Sequence, residues 1–101
     1  MRPIPIPDLP EYDGTKAMTL RQAVDAGLVD PPPGRGLNPE QLGRWCRKGV
    51  SLARGGPRYR FPAFRGAKEL LTTPAWCRAW REFVARVQAE DARRQGLIGV
   101  G

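Results

Sequence analysis

The sequence predicts a mainly helical α+β domain with one small β-hairpin. Three segments begin with a helix-capping residue and continue with apolar residues at helical spacing, and a fourth has the two-residue period of a strand. The 101 residues can form at most one small domain, and the 12 Gly and 11 Pro among them indicate long non-regular segments.

Residues 1–17 are predicted to form a Pro-rich arm outside a domain of residues 18–94. Its prolines favour extended or polyproline II backbone: Pro3, Pro5, Pro7 and Pro10. The apolar side chains of the arm could pack against the domain, or the arm could be disordered, and the sequence favours neither outcome.

The first predicted helix covers residues 18–29. Thr19 is a suitable N-cap, and Gln22, three residues later, completes a capping box. Leu20 and Val24 are four residues apart, so they lie on one face of the helix, and we expect that face to be buried.

A stiff turn and a second helix follow. The segment DPPPGRG, residues 30–36, cannot be helical because proline removes a backbone donor and clashes with the preceding turn. Asn38 is predicted to be the N-cap of a helix over residues 38–48, with Gln41 completing a second capping box. The residues predicted to face the core are Leu42, Trp45 and Cys46. Those outside this apolar face are Gln41, Arg44, Arg47 and Lys48.

A β-hairpin is predicted for residues 58–73. Its first strand has the alternation of Tyr59, Phe61 and Ala63 with the residues between them, and the segment RGAK forms the tip. Pro62 restricts this strand to an edge or a bulge. A helix over residues 63–71 is the alternative, although Gly66 and the short length disfavour it.

The last predicted helix covers residues 74–94 and is followed by a flexible tail at residues 95–101. Thr73 is a suitable N-cap and Pro74 suits the first helical position. The aromatic residues of this helix are expected in the core. The complete predicted core is Leu20, Val24, Leu42, Trp45, Cys46, Trp76, Trp80 and Phe83.

The positive charge is concentrated in the middle of the chain. Residues 35–68 carry nine basic side chains against Glu40 alone, whereas residues 1–34 have a net charge of −2 and residues 69–101 a net charge of +1. The nine are Arg35, Arg44, Arg47, Lys48, Arg54, Arg58, Arg60, Arg65 and Lys68. Such a block is typical of nucleic-acid binders, but it also occurs as a solvated surface, and composition alone does not separate the two.

Several classes of function are disfavoured by composition. The chain has no His, and its ten acidic residues have no spacing that suggests an acid/base pair, so we expect no enzyme, no metal site and no cofactor. Cys46 and Cys77 are expected to be small buried hydrophobic residues rather than zinc ligands or a disulfide. No apolar run is long enough to span a bilayer, so we expect a soluble cytoplasmic protein without membrane contact.

The order of helix, stiff turn, basic helix, hairpin and helix is that of a winged helix-turn-helix. The segments LRQAVDAGLV, LGRWCRKGV and RYRFPAFRGAKELLTT resemble the small winged helix-turn-helix proteins of the excisionase/MerR-like group, which phages, integrative elements and bacterial genomes encode. The resemblance covers residues 18–88. It implies binding to double-stranded DNA without catalysis, with helix 38–48 in the major groove and the hairpin on the minor groove or backbone.

Roles for individual side chains follow from this resemblance and from the chemistry of DNA recognition. The candidates for base contacts are Gln41 with adenine, Arg44 with guanine and Glu40 with cytosine. The candidates for phosphate contacts are Arg35, Arg47, Lys48 and Arg58. The candidates in the wing are Arg60, Arg65, Gly66 and Lys68. Arg78 and Arg81 are expected to be solvated.

The resemblance leaves two biological roles open. One is an excisionase, a recombination directionality factor that works with an integrase, and the other is a small transcriptional regulator of a mobile element that works at a promoter. Members of the group often act as arrays of monomers, so we expect a monomer in solution. A protein-interaction module with a winged-helix shape and a basic RNA-binding protein are the alternatives, the second disfavoured because no aromatic platform for base stacking is evident.

Overall fold

The structure is a computed structural model that describes residues 2–7, 9–12, 14, 16–31, 36–53 and 55–100, apart from the side chains of residues 95–100. Within these residues it contains three helices and two three-stranded sheets, which confirms the α+β architecture. The elements are β1 (Ile4–Pro5), β2 (Met18–Thr19), α1 (Leu20–Asp25), α2 (Pro39–Lys48), β3 (Val50–Ser51), β4 (Arg58–Arg60), β5 (Phe64–Arg65), β6 (Leu70–Thr72) and α3 (Pro74–Val100).

The starts of α1 and α2 are set by the predicted caps. Thr19 Oγ1 accepts a hydrogen bond from Gln22 N at 3.1 Å, and the Gln22 side chain accepts one from Thr19 N at 2.9 Å, so the capping box is complete. Asn38 Oδ1 accepts from Gln41 N at 2.7 Å, which is one of the two bonds expected in a capping box there. Helix α1 is shorter than predicted at both ends, because its first two expected residues form β2 and it ends at the C-cap Ala26, before Gly27 with its φ of 71°.

The hairpin predicted for residues 58–73 is wrong in its first strand, but its tip and return strand form as predicted, with β5 in place of β4 as the partner of β6. Strand β4 pairs with β3 and β1, whereas β5 pairs with β6, which also pairs with β2. The chain leaves the first sheet at Phe61, which is 2% exposed and donates its N–H to Trp45 O. The next residue, Pro62, has no N–H to donate to a ladder, and its carbonyl accepts from Thr72 Oγ1 at 3.0 Å instead.

The N-terminal arm packs against the rest of the chain. Ile4 is the register partner of Tyr59 in a parallel pair, and Ile6 is 5% exposed. The indole N–H of Trp76 donates to Pro10 O at 2.7 Å. The structure thus decides between the two states that the sequence left open, because burial of Ile6 favours docking of the arm.

Helix α3 begins as predicted and extends further. Thr73 Oγ1 caps it by accepting from Trp76 N at 3.1 Å. Its backbone is helical to Val100, beyond the predicted end at residue 94, and residue 101 lies outside the described residues.

The core lies between α3, α1, α2 and the arm. Its buried apolar residues are Ile6, Leu20, Ala23, Val29, Leu42, Phe61, Cys77, Trp80 and Phe83. Val24, Trp45 and Cys46 are half-buried against this cluster. Trp76 departs from the prediction, since it lies outside the cluster with its ring against Phe64, centroid to centroid 5.7 Å, in an edge-to-face arrangement. None of the described helices is long and apolar enough to cross a membrane.

Candidate nucleic-acid interface

Helix α2 separates a buried face from a charged face. Leu42 is fully buried and Arg44 is exposed, because residues two apart differ by about 200° around a helix axis. Glu40, Arg47 and Lys48 are exposed too, whereas Gln41 is half-buried. The charged face is therefore centred on Arg44.

Helices α1 and α2 meet where Leu20 of α1 lies beside Gly43 of α2. Gly43 is buried, and a Cβ at this position would lie 3.8 Å from Leu20 Cδ1. Leu20 follows the N-cap of α1 directly, so the contact holds the start of α1 beside the middle of α2. The same region continues into β6, because β2, just before α1, pairs with it.

An open groove of about 790 Å³ separates α2 from the β5–β6 turn. The residues that line it are Thr19, Leu20, Arg21, Pro39, Glu40, Gly43, Arg47, Arg65, Lys68, Glu69 and Leu70. We call it the wing groove. It brings together Arg47 of α2 with Arg65 and Lys68 of the turn, three residues that the sequence assigned separately to helix and wing.

The turn that carries Arg65 and Lys68 depends on Gly66. The Gly66 N–H donates to Glu69 O at 2.8 Å and closes the turn. A Cβ on Gly66 would lie 2.7 Å from Leu71 Cδ1 and 2.9 Å from Glu69 O, both closer than van der Waals contact. Only glycine fits without a shift of the turn, and both basic side chains project from it exposed.

Two further charges of the wing groove change its balance. Arg21, in the first turn of α1, lines the groove and was missed from the sequence, because residues 1–34 are net negative and drew no attention to it. Glu69 of the β5–β6 turn also lines the groove, and together with Glu40 of α2 it offsets part of the positive charge. The groove keeps an excess of basic side chains, four against two.

Arg58 and Arg60 do not belong to the wing. They lie in β4, whose partners are β1 and β3, and Tyr59 between them packs edge-to-face on Phe83 with centroids 4.8 Å apart. Since successive strand residues point to opposite faces, the two exposed arginines lie on the face away from Phe83. Arg60 lines a pocket with Cys46 and residues of the arm, so its prediction as a wing residue is corrected.

Arg35 and Arg54 lie outside the described residues. Arg81, expected to be solvated, has its Nε 3.3 Å from Asp30 Oδ2 in an ion pair, both side chains being largely exposed. An exposed pair of this kind contributes little to stability.

Cys77 is buried and Cys46 is half-buried, and burial keeps both thiols from ionising readily. Burial raises the pKa of Cys46 from 9.0 to about 12, although the adjacent Arg47 charge lowers it in part. Burial also raises the pKa of Cys77, against a smaller lowering by its hydrogen bond with Thr72. Both thiols are free and stay protonated at neutral pH. In the described part of the chain, no three His, Cys, Asp or Glu residues are grouped as metal ligands would be.

The chain was compared with family models, with curated proteins and with solved structures. None of the three comparisons finds a match.

Proposed function

We propose that this protein binds double-stranded DNA without catalysing a reaction. Helix α2 enters the major groove, and the β5–β6 hairpin contacts the adjacent minor groove or backbone. The observation that carries the proposal is the wing groove, where Arg47 of α2 lies across from Arg65 and Lys68. Basic side chains on both walls can neutralise phosphates while the face centred on Arg44 meets base edges.

The charge distribution supports a polyanionic partner. Residues 41–68 contain no acidic residue, and they include α2 from Gln41 onward, β3, β4, β5 and most of the β5–β6 turn. Arginine makes up most of this charge, and its planar fork matches phosphate oxygens and the guanine edge. Basic residues from separate elements line one groove, and this convergence is expected of a binding surface more than of a merely solvated one.

Roles on α2 follow from position around the helix. Arg44 and Glu40 are exposed on the charged face and are proposed to contact bases, together with Gln41. Arg47 lines the wing groove, which favours a phosphate contact rather than a base contact. Gln41 is half-buried, so we rank it behind Arg44 as a base contact.

The experiment is a salt series with a labelled random-sequence duplex. The logarithm of the association constant should fall linearly with the logarithm of salt concentration, with a slope of about −0.9 per neutralised phosphate. Alanine at Arg47, Arg65 and Lys68 together should make the slope shallower by roughly 2.7 on the same relation. A matched variant with alanine at Arg78, Arg86 and Arg93, all exposed on α3, should keep the slope close to the wild-type value.

Absence of binding at low salt would contradict the proposal and favour a protein-interaction module. An equal decrease in salt slope in the two triple variants would show that only the net charge matters. That result would remove the wing groove from the interface.

The resemblance to the excisionase/MerR-like group suggests two biological roles. As an excisionase the protein would bend an attachment site and work with an integrase. As a regulator it would act at a promoter with the transcription machinery. Circular permutation of a bound site, with and without the integrase, distinguishes them, because only the first role requires a bend that the recombinase uses.

The described aromatic side chains favour duplex over single-stranded nucleic acid. Trp80 is 3% exposed, and Trp76 is half-buried against Phe64. Tyr12, at 47% exposure, is the one aromatic among the exposed large hydrophobic residues of the described chain, and its ring packs against Phe64 too. Base stacking by single-strand binders needs several accessible rings, which these residues do not supply.

A further inference from the structure

A second basic cluster lies at the C-terminal end of α2. The helix ends at Gly49, whose backbone has φ 78° and ψ 173°. A Cβ on Gly49 would lie 2.6 Å from Pro3 Cβ and 3.2 Å from Arg58 Cβ. Because this residue has no side chain, the arm and strand β4 both approach the end of α2.

This approach brings Arg2 of the arm beside Arg58 of β4, and Lys48 adjoins the same place in the chain. Arg2 and Arg58 line one cleft of about 290 Å³ with Gly56 and Pro57, and both are exposed. Lys48, the last residue of α2, is exposed and directly precedes Gly49. We call Arg2, Lys48 and Arg58 the basic corner.

Among the described residues, no acidic side chain lines the cleft of the basic corner. Residues 2–7 and 41–68 contain no Asp or Glu, and none of the three basic side chains forms an ion pair with a described carboxylate. The wing groove differs, because Glu40 and Glu69 offset its charge. The corner is the more purely cationic surface of the two.

We propose that the basic corner binds backbone phosphates of duplex DNA beyond the C-terminal end of α2. This inference rests on the proposed function and adds a second backbone contact to it. The wing groove lies along α2 from Pro39 to Arg47, and the corner lies at the C-terminal end of α2, around Gly49. Phosphate contacts at both places hold the helix in the major groove and set its orientation. The arm thereby supplies a DNA contact through Arg2.

The test compares two double variants in the full chain. Arg2→Ala with Arg58→Ala removes two charges from the corner, and Arg78→Ala with Arg86→Ala removes two exposed charges from α3. Binding to a labelled random-sequence duplex is measured across a salt series. The corner variant should have a slope shallower by about 1.8 and should lose roughly 60-fold in affinity near 0.1 M salt, on the counterion-release relation. The α3 variant should match the wild type.

Two further variants separate charge from folding. Arg58→Lys keeps the charge, so its salt slope should lie close to that of the wild type. Arg2→Ala alone removes an exposed side chain before β1, so it should leave the unfolding midpoint unchanged. Equal slopes for the corner and α3 variants would overturn the inference while the wing variants still report on the proposed function. A wild-type protein that does not bind duplex DNA would overturn both.

Discussion

The indole nitrogen of Trp76 lies 2.7 Å from the carbonyl oxygen of Pro10 and donates a hydrogen bond to it. The bond ties the middle of the arm to the first turn of α3, while the ring packs edge-to-face on Phe64. Together with buried Ile6, this contact makes the arm part of the folded unit.

Trp76→Phe should loosen the arm without disrupting the core. The substitution removes the donor but keeps a ring beside Phe64, so we expect a loss of about 0.5–1.5 kcal/mol in the free energy of unfolding. Urea unfolding measures the loss, and limited proteolysis should cut the arm sooner. Trp76→Leu, which removes the ring as well, should cost about 0.5–1.5 kcal/mol more. Unchanged protection of the arm in Trp76→Phe would show that burial of Ile6 and the pairing of β1 with β4 suffice to hold it.

Gly49→Ala should destabilise the end of α2. Its φ of 78° and ψ of 173° lie in a region that residues with a Cβ avoid, at a cost of about 1–3 kcal/mol. The contact with Pro3 Cβ adds to this cost. Thermal or urea unfolding of the single variants and of Gly49→Ala with Pro3→Gly forms a double-mutant cycle. Gly49→Ala should cost less in the Pro3→Gly background, and equal costs would show that the arm yields freely.

Gly66→Ala should disturb the β5–β6 turn. The new Cβ would approach Glu69 O to 2.9 Å, and an overpacked site of this kind costs about 1–3 kcal/mol. We expect both a lower free energy of unfolding and weaker binding to random duplex DNA. Gly36→Ala is the matched control, because nothing lies within 4 Å of a Cβ there. If Gly66→Ala lost stability but bound DNA as well as Gly36→Ala, the turn would not be part of the interface.

Arg44→Ala and Arg47→Ala should differ in kind. Alanine at Arg44 should cost roughly 1–3 kcal/mol on a selected site and relax one base position, whereas alanine at Arg47 should weaken all sequences alike. Site selection from a random pool followed by competition binding measures both effects. Equal weakening of selected and random DNA by Arg44→Ala would remove its assignment as a base contact.

Cys46 should make stability depend on alkaline pH. Burial raises the pKa of this thiol from 9.0 in the unfolded chain to about 12 in the folded protein. Between pH 9 and 12 the folded state therefore keeps the thiol proton that the unfolded state loses. The stability that the protonated thiol contributes is complete below pH 9 and is lost as pH rises toward 12. Cys46→Ala should show a shallower fall in the free energy of unfolding above pH 9. Identical pH dependence in the two proteins would contradict burial of the thiol.

The sequence by itself determined where the helices begin. Thr19, Asn38 and Thr73 each bond a backbone N–H three residues away, so the information lies within one turn. The spacing within α2 likewise predicted which side faces the core, and Leu42 is buried while Arg44 is exposed. Capping and helical period are local properties, and local properties can be seen in a single sequence.

The tertiary structure decided the strand pairing and the composition of each basic surface. Whether Arg58–Arg60 pairs with the segment after it or with residues 4–5 and 50–51 depends on burial of Phe61 and Ile6, which only the assembled core provides. The same packing places Arg21 in the wing groove and places Arg58 beside Gly49 at the end of α2, outside the β5–β6 hairpin. A strand's partner is set by contacts between remote segments, and alternation within the strand carries no information about which segment that is.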